Sequence, residues 1–125
     1  MTEDLQEEIR KVAEKVPGCQ YVSLVGYDGI TVVQHIIAAN FDVTLYDAEI
    51  SSIMLVSKAV KDSLNLGIEK EFIWLTQNSF FIIQPIGEDF FIYSCLKSTG
   101  SNPGVARIEL NKAKGTIRKI IYPDQ

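Results

Sequence analysis

Few residues in this sequence could carry covalent or metal chemistry. His35 is the sole histidine and falls in a β-branched run, where a structural or surface role is expected. One histidine leaves no Cys/His cluster for zinc and no Ser/His/acid set for a nucleophile. Cys19 and Cys95 are too few for a disulfide framework. They read as buried free thiols, because a free cysteine packs as a small hydrophobe, and a redox pair would need them adjacent in space. Gly100-Ser101-Asn102-Pro103-Gly104 could cradle an anion on free amides at a helix start. Neither G-x-x-x-x-G-K-S/T nor G-x-G-x-x-G accompanies it, so it reads as a connection and a cap. Arg107, Lys112, Lys114, Arg118 and Lys119 could touch an acidic membrane, but they read as the solvated face of a helix. The chain is therefore expected not to be an enzyme and to use no cofactor or metal.

The elements that would position these residues follow from size and patterning. A length of 125 residues fits a single domain, 1–125. A hydrophobic share of 46% with 22% charged residues is globular and excludes disordered and collagen-like classes. Sixteen acidic against twelve basic residues give a net charge of -4, so nucleic acid is not an expected partner. No apolar run approaches the roughly 20 residues that span a bilayer, so no stable membrane insertion is expected. The start, MTEDLQEEIRK, lacks an apolar signal core, which points to the cytoplasm.

Leu5, Ile9, Val12, Ala13 and Val16 recur at helical spacing and predict a helix over 3–16, with Thr2 as N-cap and Pro17-Gly18 as its end. Two β-branched runs from Gln20 and from Ile30 flank Asp28-Gly29, the signature of a hairpin with a type I′ turn. Asp28 thus reads as a turn residue rather than a catalytic carboxylate. Residues 37–46 read as a loop. Three strands at 69–76, 80–86 and 90–96, joined by short turns, must form an antiparallel meander. The continuous runs Phe80–Ile83 and Phe90–Tyr93 require cover on both faces of that sheet. Asn102 with Pro103 behind it starts the last helix, which Gly115 is expected to weaken by about 1 kcal/mol. The fold class is α/β (α+β), with a five-stranded antiparallel sheet between helical layers and the order α-β-β-α-β-β-β-α.

The second helix, predicted over 47–66 and stopped by Gly67, carries two apolar stripes. Ile50, Ile53, Met54, Val56, Val60 and Leu64 suffice to cover a sheet. Ala48, Ser52, Leu55, Ala59 and Leu66, with Asp62 among them, follow the spacing of an a/d seam. A helix docks on its own core with one stripe, so the second asks for another helix. Asp47, Ser51, Lys58, Asp62 and Asn65 remain as a surface for a further partner.

The segments VPGCQYVSLVGYDGITV (16–32), the helix-to-meander stretch 48–92 and SNPGVARIEL (101–110) together resemble the roadblock/LC7 family. Within it the chain is most similar to the bacterial MglB-type regulators. The carriers are the GYDGI hairpin, the long second helix ending in Leu-Gly, and the Asn-Pro-Gly start of the last helix. The resemblance implies a roadblock/profilin-like fold and a homodimer or paralogue heterodimer. In it the second helices pair antiparallel and the third strands join two sheets, with Phe72 and Trp74 near the junction. It further implies a non-enzymatic regulator of a small Ras-like GTPase of the MglA type, which stabilises the GTPase's own arginine and glutamine at the nucleotide. The alternative is an interaction scaffold of the dynein light chain type, with no effect on hydrolysis. MglB-type proteins often carry a longer C-terminal tail against the GTPase. With the sequence ending at Gln125, tail-dependent exchange is not expected.

Overall fold

Alternation along the aromatic strands sorts the core into two halves. A computed structural model describes residues 2–124. The elements are α1 (Thr2–Lys15), β1 (Cys19–Gly26), β2 (Thr31–Ile36), α2 (Val43–Ser63), β3 (Phe72–Leu75), β4 (Ser79–Ile86), β5 (Phe90–Lys97) and α3 (Pro103–Ile121). One antiparallel sheet has the order β2-β1-β5-β4-β3, so the hairpin and the meander meet where β1 pairs with β5. Successive side chains on a strand point to opposite faces. Phe80, Ile82 and Ile86 accordingly join Leu5, Ile9, Leu110 and Ile117 beneath α1 and α3. Phe81, Ile83, Phe91 and Tyr93 join Ile50 and Met54 beneath α2. Both faces are covered, as the unbroken apolar runs demand.

The sequence-derived boundaries mostly hold within a residue or two, with four informative departures. First, α2 begins at Val43, so the expected loop at 37–46 is half helix. Asp42 is its N-cap and accepts from Leu45 N at 3.2 Å, an interaction of about 1 kcal/mol. Second, α2 stops at Ser63 rather than at Gly67. Asn65 adopts φ +55°, Asn65 N donates to Asp62 O, and Leu66 N donates to Lys61 O. This is a Schellman closure with asparagine in the left-handed position that glycine usually takes. Third, β3 spans only Phe72–Leu75 instead of 69–76. Fourth, the β1–β2 turn is not type I′. Only Gly29 has positive φ (+87°), Gly29 N donates to Gly26 O, and Gly26 N donates to Ile30 O. A type I turn followed by a left-handed glycine makes a three-residue loop. Asp28 Oδ1 accepts from Ile30 N at 3.0 Å, which is the turn role expected of it.

At the other end of the chain, Asn102 Oδ1 accepts from Val105 N at 3.1 Å with Pro103 behind it, as predicted. Helix α3 continues through Gly115 to Ile121, anchored by buried Ile117. Helix α1 includes Thr2, so a cap ahead of it lies outside the described residues. Gln6 Nε2 donates to Gln34 O of β2 at 2.8 Å. Ile37 N donates to Gln20 O, and antiparallel alternation then turns the Gln34 carbonyl away from β1, toward the outer rim of the sheet.

Candidate interaction surface

Helix α2 presents a narrow inner face. Val43, Asp47, Ile50, Ser51 and Met54 are buried against the sheet, all within its first twelve residues. The second half leaves the core. Val56 is 64% exposed, Val60 47% and Leu55 50%, and Leu64 and Leu66 are also exposed. This corrects the sequence reading, which gave Val56, Val60 and Leu64 to the helix's own sheet. Their spacing is right for one stripe, but α2 lies over the β1–β2 side and its far half overhangs. Beside the overhang, β3 is a rim strand paired only to β4. Its Trp74 stacks on Phe81 at 5.7 Å yet remains 40% exposed, and Ile73 and Leu75 are exposed as well. Between α2 and β3 lies a groove of about 820 Å³, lined by Ile53, Val56, Val60, Ile68, Phe72 and Trp74 among others. Exposed apolar surface of this extent, next to an unpaired strand rim, marks an interaction site.

The seam residues Ala48, Ser52, Leu55, Ala59 and Leu66 are all exposed, and Ser52, Leu66, Phe72 and Trp74 line the groove itself. Ile53, Val56, Val60 and Ile68 also line the groove and were not singled out from the sequence as seam residues. Tracking the exposed angle of the helix beyond Met54 would have found Val56 and Val60.

The surface assigned to a further partner is only partly available. Asp47 is fully buried and Ser51 nearly so, which corrects their assignment as exposed contacts. Ser51 Oγ donates to Ala48 O within the helix at 2.6 Å. Asp47 reaches into the sheet, where Thr31 Oγ1 donates to it at 2.6 Å and Tyr93 Oη at 2.5 Å. Tyr21 Oη lies 2.9 Å from Tyr93 Oη. Because Tyr93 gives its proton to Asp47, Tyr21 must supply the next one. Burial raises the Asp47 pKa above the ordinary aspartate value, against the opposing pull of Thr31 and Tyr93. Burial likewise pushes both phenols up. Lys58 is half-buried, 4.9 Å over the Tyr27 ring and 3.1 Å from Glu88. Asp62 is exposed and pairs with Lys61 at 3.0 Å, while Asn65 is exposed and serves as the helix cap.

The remaining chemistry-bearing residues are occupied structurally. Asn102 N donates to Pro17 O, and the Asn102 side chain takes Val105 N, so the Gly100–Gly104 start has spent amides an anion would need. Cys19 and Cys95 lie in the cores on opposite faces of the sheet. Burial pushes their thiols up to about 12 and about 11. His35 sits half-buried in β2. Among the described residues no group of three or more His, Cys, Asp or Glu could hold a metal ion, and no helix is long and apolar enough to cross a membrane.

No protein-family model matches the sequence, and no curated protein matches it. Solved structures do resemble it. Myxococcus xanthus MglB superposes with a TM-score of 0.85 at 11% identity, covering 96% of this chain and 89% of that one. A roadblock/LC7 domain from Streptomyces avermitilis gives 0.82 at 11% identity, covering 93% and 96%. MglC from Myxococcus xanthus gives 0.68 at 20% identity, covering 94% and 98%. Identities this low speak for architecture alone. The five-stranded sheet, the helix layers and the full-length superpositions together give this chain the roadblock/LC7 fold.

Proposed function

We propose that the chain is a homodimeric, non-enzymatic regulator of a Ras-like small GTPase of the MglA type, acting in the cytoplasm. The observation that carries the reading is the continuous apolar surface formed by the overhanging half of α2, the groove and the rim strand β3. A lone chain leaves this surface wet. Two copies related by a two-fold axis cover it, with α2 against α2 and β3 against β3, in an isologous interface. Ala48, Ser52, Leu55, Ala59, Leu66, Phe72 and Trp74 belong to that interface, joined by Val56 and Val60. Lys58, Asp62 and Asn65 remain for the GTPase, and Asp47 and Ser51 drop out.

The GTPase assignment follows the MglB-type resemblance of the sequence. The regulator supplies no catalytic group. It binds the GTPase conformation in which the GTPase's own arginine reaches the nucleotide, and differential affinity for that state is sufficient. An arginine so placed is worth about 10³–10⁵ in rate. The test is single-turnover GTP hydrolysis by a GTPase that copurifies with this chain, with and without the chain added. Acceleration supports activation. Binding without acceleration leaves a scaffold, and the absence of any binding removes the GTPase reading.

A further inference from the structure

At the β4–β5 turn, a second cleft of about 160 Å³ opens between the C-terminal halves of α2 and α3. That is room for about five waters at roughly 30 Å³ each. Lys58 and Lys61 reach it from one face of the sheet, and Lys114 and Arg118 from the other. In a chain of net charge -4, four of its twelve Lys and Arg residues converge on one small cavity. Two carboxylates, Glu69 and Glu88, share the lining. Glu88 is held by Lys58, and Glu69 accepts a hydrogen bond from Ser57. Lys61 is paired with exposed Asp62. Lys114 and Arg118 stand one helical turn apart, a like-charge spacing that is unfavourable by itself. Among the described residues neither makes an ion pair. Lys114 is half-buried, and its burial and the neighbouring Arg118 both disfavour its charge, against a weaker opposing pull from Glu71, which is itself held by Arg107 at 2.9 Å. Two cations held together at the wall of a cavity, with no carboxylate of the described residues within ion-pair distance, are stabilised by an anion between them.

We propose that this cleft binds a phosphate-bearing dianion, with Lys114 and Arg118 as its principal ligands and Lys58 and Lys61 closing it from α2. Two positive charges in excess over the lining carboxylates match a phosphate monoester. The guanidinium fork of Arg118 suits its oxygens, and a lysine ammonium serves as a point charge. The cleft adjoins the α2–β3 groove, with which it shares Lys61, Ile68 and Glu69, but its principal ligands Lys114 and Arg118 lie on α3, outside both that groove and the residues proposed for the GTPase.

The test uses the full chain at constant ionic strength. Thermal melting and 31P NMR are recorded with inorganic pyrophosphate, and cosedimentation with phosphatidylcholine vesicles carrying a phosphoinositide. The expected result is saturable binding that weakens tenfold or more in the Lys114→Gln/Arg118→Gln double variant. Lys112→Gln/Lys119→Gln, which removes the same charge elsewhere on α3, should bind as the unaltered chain does. Cleft-dependent binding of pyrophosphate alone identifies a free phosphate compound, and cleft-dependent binding of the vesicles identifies a lipid headgroup. No binding of either probe overturns the proposal, as does equal weakening in both double variants, which would report diffuse charge.

Discussion

Replacing Asp47 tests the one fully buried carboxyl among the described residues. The carboxyl is fully buried and accepts from Thr31 and Tyr93 at 2.6 and 2.5 Å. Asp47→Ala removes both acceptors. Thr31 is half-buried and can turn to water, so its loss is small. Tyr93 is fully buried, and Tyr21 already donates to it. Its proton is therefore stranded, at a cost of about 1–3 kcal/mol, on top of a lost charge-assisted bond. Relief of the buried charge offsets part of this. The net expected loss is about 2–4 kcal/mol, or about 8–16 °C in Tm for a domain of this size. Asp47→Asn keeps an acceptor for Tyr93 and should stay within about 1 kcal/mol. Its amide can face Ser23 Oγ, which has no hydrogen-bond partner among the described residues. The sign of the pH effect follows from linkage. Burial holds the folded pKa above the ordinary value of 3.8, so above pH 3.8 the folded state binds the proton more tightly than the unfolded chain. Stability from this group therefore falls as pH rises from 3.8 through the folded pKa, then levels off. Asn does not titrate, so Asp47→Asn should gain on the parent protein across that window. Urea melts of the three proteins from pH 4 to pH 7 measure both effects. A loss below about 1 kcal/mol in Asp47→Ala, or an Asn variant less stable than the Ala one, would refute the stranded-donor argument.

Three further outcomes are expected. Val56→Glu with Val60→Glu should leave the far-UV circular dichroism unchanged, since both side chains are exposed, yet give monomers by sedimentation. In the parent protein the single tryptophan, Trp74, should shift to bluer emission as concentration rises, and a sedimentation profile unchanged by the substitutions would place the interface elsewhere. Asn65→Gly should be neutral or slightly stabilising and Asn65→Val should lose about 1–2 kcal/mol, because only the β-branched residue is penalised at positive φ. Equal stabilities in denaturant melts would remove the cap assignment. Raised thiol pKa values of about 12 and about 11 leave almost no thiolate at pH 8, so Cys19 and Cys95 should react with a disulfide reagent only as the protein unfolds. Fast stoichiometric reaction of the native protein would contradict their burial.

Much of the architecture was legible because local chemistry and global packing agree. Phe80-Phe81 and Phe90-Phe91 demanded two covered faces, and Asn102-Pro103 announced α3. The start of α2 was hidden by the same residue that makes its inner face unusual. Asp47 occupies a core position among Val43, Ile50 and Met54, and a carboxylate there breaks the apolar stripe that marks a helix. The reading of Leu-Gly as the helix stop failed because Asn65 reached the left-handed region two residues earlier. The two-stripe reading of α2 correctly identified surplus apolar surface. Ile50 and Met54 of the stripe read as inward are buried, but how far along the helix that stripe stays covered was not readable, since it depends on where the helix axis sits over the sheet, and that is set by distant strands rather than by spacing.

The contact from Gln6 to the outward carbonyl of Gln34 gives the sheet one guarded margin and one bare one. Helix α1 leans over β2 and occupies hydrogen-bonding capacity that a stray strand would otherwise seek. Two molecules zipped together along β3 would turn only guarded margins outward. Growth by strand addition would then halt at a pair, and a protein with an open greasy border would escape elongation into fibres.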